Sequence, residues 1–170
     1  QEAMAELSPA FLPRVGTVTA ATSAPLSDGA AAMLVMSKAE ADRQQLEPMG
    51  RVLGTAVVGV PPALMGTGPI HAVKKVLART GLRMDEIDYF EINEAFAAQT
   101  IYCVEALGIN PKKVNVHGGS LSIGHPLGAS GARIATTLLH VMRDHGGRYG
   151  IATMCIGLGQ GIAIVFERLE

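Results

Sequence analysis

Segments rich in β-branched residues, each stopped by glycine or proline and followed by a stretch of helical periodicity, recur along this 170-residue chain. That alternation restricts the fold more than any other feature. Arg51–Val60 (RVLGTAVVGV) reads as a strand that ends at Pro61-Pro62, which cannot continue a hydrogen-bonded ladder. Pro69 suits the first turn of a helix running to Thr80, with Gly81 as its stop. Ile87–Ile92 is the next strand, and residues 93–108 the next helix, with Asn93 near its N-cap and Gly108 past its end. The stretch KVNVHGG (113–119) reads as a short strand entering a histidine loop. From Gly131 to His145, the spacing of Ile134, Leu138, Val141 and Met142 gives one apolar helical face. YGIATMCI and IAIVFERL, joined through GLGQG, are expected to form a hairpin. Upstream, Ala30–Ser37 (AAAMLVMS) is expected to be a buried strand, and Ser37 with Glu40 a capping box opening a short helix. Alternation of this kind implies an α/β fold with a mixed or mainly parallel sheet and helices on both faces.

Composition removes several function classes. The 14 Lys+Arg nearly balance 15 Asp+Glu, and three Tyr with four Phe leave little to stack on bases, so nucleic acid is not an expected partner. The longest apolar runs are shorter than about 18 residues or are broken by glycine, so no membrane span is expected. Cys103 and Cys155 have no CxxC companion and no metal-ligand spacing with the five histidines, which argues against a disulfide scaffold or a metal site and for a reducing, cytoplasmic setting. No signal or transit peptide opens the sequence at Gln1, and the chain is expected to be a piece of something longer. A hydrophobic fraction of 48% with mean hydropathy of +0.28 is high for a free-standing domain. Part of this surface is expected to be covered by another chain or domain.

Three loops follow predicted strands, and in open α/β sheets ligands gather beyond the carboxyl ends of strands. They are Asn93–Phe96 (NEAF), Gly124-His125-Pro126, and Cys155–Gly159 (CIGLG). If they open on one end of the sheet, they supply a carboxamide, an imidazole and a thiol to one pocket. Pro126 holds the histidine backbone extended, so the loop aims the ring. The helix start in GASGAR disfavours an imidazolium nearby, which leaves a neutral base. Glycines after Cys155 allow backbone N–H groups to approach an oxyanion. Each residue also has an ordinary structural role open to it: hydrogen-bonded filler for His125, buried small hydrophobe for Cys155, helix cap for Asn93. Ser130 lacks the glycine two positions later that a nucleophile elbow requires, and Cys103 reads as core packing.

With these loops in order, the chain resembles the C-terminal half of the thiolases. The stretches that carry the likeness are GTVTAATSAPLSDGAAAMLVMS, MGTGP, NEAFA, GGSLSIGHPLGASGAR and ATMCIGLGQGIAIVFERL. The first and last look more like the degradative 3-ketoacyl-CoA thiolases than the biosynthetic acetoacetyl-CoA enzymes, which are the alternative. The resemblance implies a thiolase-like C-terminal domain with a mixed, mainly parallel five-stranded sheet and helices on both faces. It also implies a division into 1–26, the end of a preceding segment and linker, and 27–170, the C-terminal domain.

By the same resemblance, a cysteine nucleophile of the N-terminal half attacks a 3-ketoacyl-CoA, acetyl-CoA leaves, and coenzyme A takes the shortened acyl group. His125 activates that thiol and, with a water positioned by Asn93, holds the enolate oxygen. Cys155 exchanges the α-proton, the Gly157 N–H contributes to a second oxyanion hole, and Met65 and Phe96 line the acyl and pantetheine pocket. No cofactor is implied, coenzyme A being a substrate. The expected partners are acyl-CoA and CoA, the chain's own N-terminal half, a second copy in a homodimer, and a multifunctional β-oxidation enzyme. Two departures stand out: Ala24-Pro25 where thiolases carry a serine and a small residue beside the pantetheine, and His117 where many carry asparagine. The nucleophile's half is absent, so the isolated chain is expected neither to turn over nor to stay monomeric. A β-ketoacyl-carrier-protein synthase is disfavoured by Cys155; a non-catalytic acyl-CoA-binding or scaffolding subunit is the rival from another class.

Overall fold

A computed structural model describes residues 2–169. Among the described residues there are six α-helices: α1 (Glu2–Ala5), α2 (Lys38–Arg43), α3 (Gly68–Thr80), α4 (Ala97–Leu107), α5 (Ser120–Ile123) and α6 (Leu127–His145). The strands are β1 (Gly50–Gly59), β2 (Tyr89–Ile92), β3 (Tyr149–Ile156) and β4 (Gln160–Arg168), in the order β1-β4-β3-β2. Only β2 and β3 run parallel; β3/β4 and β4/β1 are antiparallel. The sheet is therefore mixed and four-stranded, which corrects the expectation of a mainly parallel, five-stranded one.

Of the six strands read from the sequence, two do not join the sheet. Residues 30–37 have no regular structure and lie exposed, with Leu34 at 78% and Val35 at 76%. A strand exists only as one side of a ladder, and no described strand pairs with this segment. Residues 113–119 make a single parallel bridge, Val114 to Phe90, before Asn115 turns the chain with φ of 46°. One bridge is all they contribute to the sheet.

Helices do cover both faces. Ile151, Ala163 and Val165 point to one side, where Val73 and Val76 of α3 and Cys103 of α4 complete a dry core. Their neighbours Ala152, Ile164 and Phe166 point to the other, against Ile134, Leu138 and Met142 of α6. The period of two in the strands and of 3.6 in the helices produces this sorting, and each large apolar side chain so buried contributes roughly 1.5–3 kcal/mol. Helix ends follow the sequence closely: Gly81, Gly108 and Gly146 take left-handed conformations after α3, α4 and α6, and the Ser37 hydroxyl accepts from Glu40 N. The hairpin β3–β4 forms as expected, and it lies hard against the start of α3. A Cβ on Gly161 would fall 2.2 Å from the Gly68 carbonyl carbon, so this approach requires a residue without a side chain.

Candidate active site

β2 and β3 are parallel neighbours, so their carboxyl ends lie at the same edge of the sheet. Ile92 pairs with Thr153, and the next residue, Asn93, donates its backbone N–H to the Thr153 carbonyl at 3.0 Å. Cys155, two residues further along β3, is buried at that edge. α6 packs beside it, with Met154 next to Gly131 in the second turn. His125 sits just before α6, on the loop that enters this edge. Topology thus draws the carboxamide, imidazole and thiol to one end of the molecule.

Asn93 is not a helix cap. α4 begins four residues later at Ala97, with Phe96 in the cap position. The Asn93 side chain is wholly buried, at 0% exposure, and its Oδ1 accepts from Ser120 Oγ at 2.7 Å and from Arg133 Nη2 at 3.4 Å. Its Nδ2 has no hydrogen-bond partner among the described residues. A buried amide donor left unpaired costs about 1–3 kcal/mol, so this N–H is open to a water or a ligand. Glu94 works on the other side of the chain: Oε1 accepts from Asn115 Nδ2 and Oε2 from Leu121 N. Asn115 in turn brackets Ile92 N and O with its own amide, fixing the end of β2.

His125 Nδ1 lies 2.6 Å from Ser130 Oγ, and that hydroxyl also reaches the Pro126 carbonyl at 3.1 Å. Ser130 has one proton. It satisfies both contacts when it donates to Pro126 and accepts from Nδ1–H, which leaves the Nε2 lone pair free to take a proton. Burial, and then the Arg133 charge, hold the His125 pKa below its ordinary value, so the ring is neutral at neutral pH. The sequence pointed to the helix N-terminus for this effect; desolvation and a guanidinium supply it. Burial pushes the Cys155 thiol up, keeping it protonated and able to act as an acid. Cys103, which donates to the Gly66 carbonyl and lies close enough to Cys155 for their charges to interact, belongs to the apolar core.

Gly157 is exposed in the β3–β4 turn with open space where a side chain would start. Met65, half-buried, lies in the 3₁₀ segment Pro62–Thr67 that leads into α3. Phe96 is bridged by Ser23 and stacks edge-on against Phe11, ring centroids 6.0 Å apart. The strap that carries Ser23 also bonds Ala24 N to the Ala95 carbonyl and brings the Pro25 carbonyl to within 3.5 Å of His125 N. It therefore crosses both the Asn93 and the His125 loops. Where Ser27 of the strap meets Gly124, a Cβ would collide with the serine hydroxyl, and the φ of 92° there also favours glycine. A cleft of about 380 Å³ opens between residues 27–31 of the strap and residues 126–129.

Sequence reasoning missed Ser120, Glu91 and Arg133. Arg133 follows Ser130 by three residues, so the signal was two polar positions on the inward face of a helix whose later turns are apolar there. Among the described residues no cluster of three metal-ligating side chains occurs, no helix is long and apolar enough to cross a membrane, and both cysteines are free.

The thiolase C-terminal domain matches residues 46–168, and the thiolase N-terminal domain matches residues 1–39. The chain is 55% identical to a 3-ketoacyl-CoA thiolase of Marinomonas sp. (strain MWYL1), over 99% of its own length and 44% of the relative's. It is 56% identical to a 3-ketoacyl-CoA thiolase of Escherichia coli O139:H28, with the same coverage. Among solved structures, the Bacillus anthracis acetyl-CoA acetyltransferase superposes with a TM-score of 0.96 at 41% identity, covering 99% of this chain and 42% of that one. Human mitochondrial 3-ketoacyl-CoA thiolase in complex with CoA gives 0.90 at 35%, covering 99% and 43%. The chain thus spans less than half the length of the relatives it matches.

Proposed function

The chain belongs to the thiolase family, and from that premise we propose that it is the C-terminal catalytic half of a degradative 3-ketoacyl-CoA thiolase. The complete protein transfers the acyl group of a 3-ketoacyl-CoA to coenzyme A and releases acetyl-CoA. The observation that carries this reading is one sheet edge holding a neutral imidazole, a buried carboxamide with an unpaired donor and a protonated thiol. Identities of 55–56% to bacterial 3-ketoacyl-CoA thiolases support the degradative reaction.

In this mechanism His125 Nε2 takes the proton of a cysteine that the N-terminal half contributes, and the thiolate adds to the 3-keto carbon. The bond between C2 and C3 breaks, leaving an acyl-enzyme thioester and the acetyl-CoA enolate. The enolate oxygen is held by His125 and by a water on Asn93 Nδ2, and Cys155 gives its proton to the α-carbon. The Cys155 thiolate then takes the proton of coenzyme A, whose sulfur displaces the enzyme cysteine, with the Gly157 N–H in the oxyanion hole; the departing cysteine recovers its proton from His125. Met65 and Phe96 line the acyl and pantetheine channel, beside Ala24 of the strap. Each proton transfer contributes about 10²–10⁴-fold.

The domain division at residue 27 is part of the same proposal, although the stretch matching the N-terminal domain runs on to residue 39. The exposed apolar residues 33–35 are then surface made for the rest of the protein, and a homodimer, a cytoplasmic location and a multifunctional β-oxidation partner complete the picture. The test is CoA-dependent cleavage of a 3-ketoacyl-CoA by the full-length gene product. Turnover is expected; its absence, with acyl-CoA binding retained, would favour a scaffolding role.

A further inference from the structure

The direction of the hydrogen bonds around Asn93 is fixed from one end. Arg133 Nη2 donates to Ser120 Oγ at 2.7 Å, and a guanidinium has no acceptor, so the serine oxygen must receive. The serine's single proton then goes to Asn93 Oδ1 at 2.7 Å, where Arg133 also donates at 3.4 Å. Every donor in this buried group points at the carboxamide oxygen, so the unpaired prong is always Nδ2. An asparagine amide turned by half a circle has nearly the same shape, so it is this polarity that distinguishes the two orientations. Ser120 and Asn93 are both at 0% exposure, so solvent does not set the choice.

We infer that Arg133 is a positioning residue for the thiolase reaction: through Ser120 it locks the Asn93 amide with its oxygen toward Ser120 and Arg133 and its N–H donor left for the water that meets the enolate oxygen. The inference rests on the reading of this edge as a thiolase site. The same guanidinium has a second effect. Its charge, after burial, lowers the His125 pKa; of the other titratable groups at this edge, Glu91 on β2 and Glu94 just past its end face the guanidinium, Cys155 lies near the end of β3, and Asp28 on the strap shares a cleft with Pro126. Glu91 and Glu94 act on Arg133 itself, raising its pKa against the burial that lowers it.

The experiment compares Arg133→Met, Arg133→Lys, Asn93→Ala and the double variant Arg133→Met/Asn93→Ala in the full-length protein. Arg133→Met is expected to lower kcat about 10–100-fold with KM changed less than about threefold, as loss of a group acting in the transition state does. It is also expected to move the acid limb of the kcat/KM profile to higher pH. Lysine, another donor without an acceptor, restores part of the rate. In the Asn93→Ala background the loss largely disappears, because there is no amide left to orient. Additive losses, a lysine variant no better than methionine, or an unshifted acid limb would overturn the inference. An atomic-resolution crystal structure of wild type and Arg133→Met reads the amide directly and needs no activity. A wild-type protein without thiolysis but with Oδ1 turned to Ser120 sinks the functional reading alone; an Asn93 orientation unchanged in Arg133→Met sinks the positioning role alone.

Discussion

The two faces of the sheet are packed by different rules. On the α3 and α4 side, Val73, Val76, Ile87 and Ile151 are fully buried among apolar neighbours. On the α6 side the packing changes along one helix: Ile134, Leu138 and Met142 are apolar, whereas nearer the start Ser130 meets His125 and Arg133 meets Asn93 and Ser120. Both surfaces exclude water. What separates them is that the first relies chiefly on shape, while the second must also pair donors with acceptors: among the described residues Asn93 Nδ2, Arg133 Nε, Glu91 Oε1 and Thr136 Oγ1 are buried there without a partner, against Gln99 Oε1 on α4. Stability resides in the first face, and chemistry in the seam where the second begins.

That contrast can be broken most sharply at His125. His125→Ala in the full-length protein is expected to lower turnover by about 10²–10⁴-fold while leaving the thermal midpoint close to wild type, since the ring is only half-buried. A stability loss as large as the loss of rate would erase the distinction between seam and core. On the dry face, Phe90→Ala is expected to cost about 3–5 kcal/mol in denaturant titration. Activity per folded molecule should survive it; if turnover instead falls as far as in the histidine variant, the faces do not divide the labour.

A smaller effect sharpens the account of the polar seam. Burial holds the Glu91 carboxyl up at about 8, against an ordinary value of 4.5 in the unfolded chain. Between those values the folded protein binds a proton that the unfolded chain has released, so this group makes stability fall as pH rises from about 4.5 through about 8. Glu91→Gln is expected to flatten that slope, and unfolding midpoints at pH 5 and pH 8 measure it. An unchanged slope would mean that Arg133 already keeps Glu91 ionised. The smallest effect lies outside both faces. Lys38 and Asp42 pair across one exposed turn of α2, and Lys38→Ala is expected to cost less than about 0.5 kcal/mol.

Local rules made most elements readable. Gly81, Gly108 and Gly146 end helices because a left-handed residue closes the last turn cheaply, and the strands β1, β3 and β4 show in the sequence as β-branched runs bounded by turn residues. Residues 30–37 carry the same local signal and form no strand, because pairing is a property of two segments and no strand among the described residues lies beside this one. The sheet's order and its single parallel pair were likewise out of reach, since register depends on contacts far apart in sequence.

The sequence by itself determined which chemical groups this chain offers, and that an imidazole, a carboxamide and a thiol each follow a strand or open a helix, because motif spacing and backbone propensity act over a few residues. Only the tertiary structure decided how those groups are tuned. The neutral state of His125 comes from burial and from Arg133, eight positions downstream, and the polarity of Asn93 from donors on α5 and α6. Hydrogen-bond direction and desolvation are set by what surrounds a group in space, and no single stretch of the chain contains that information.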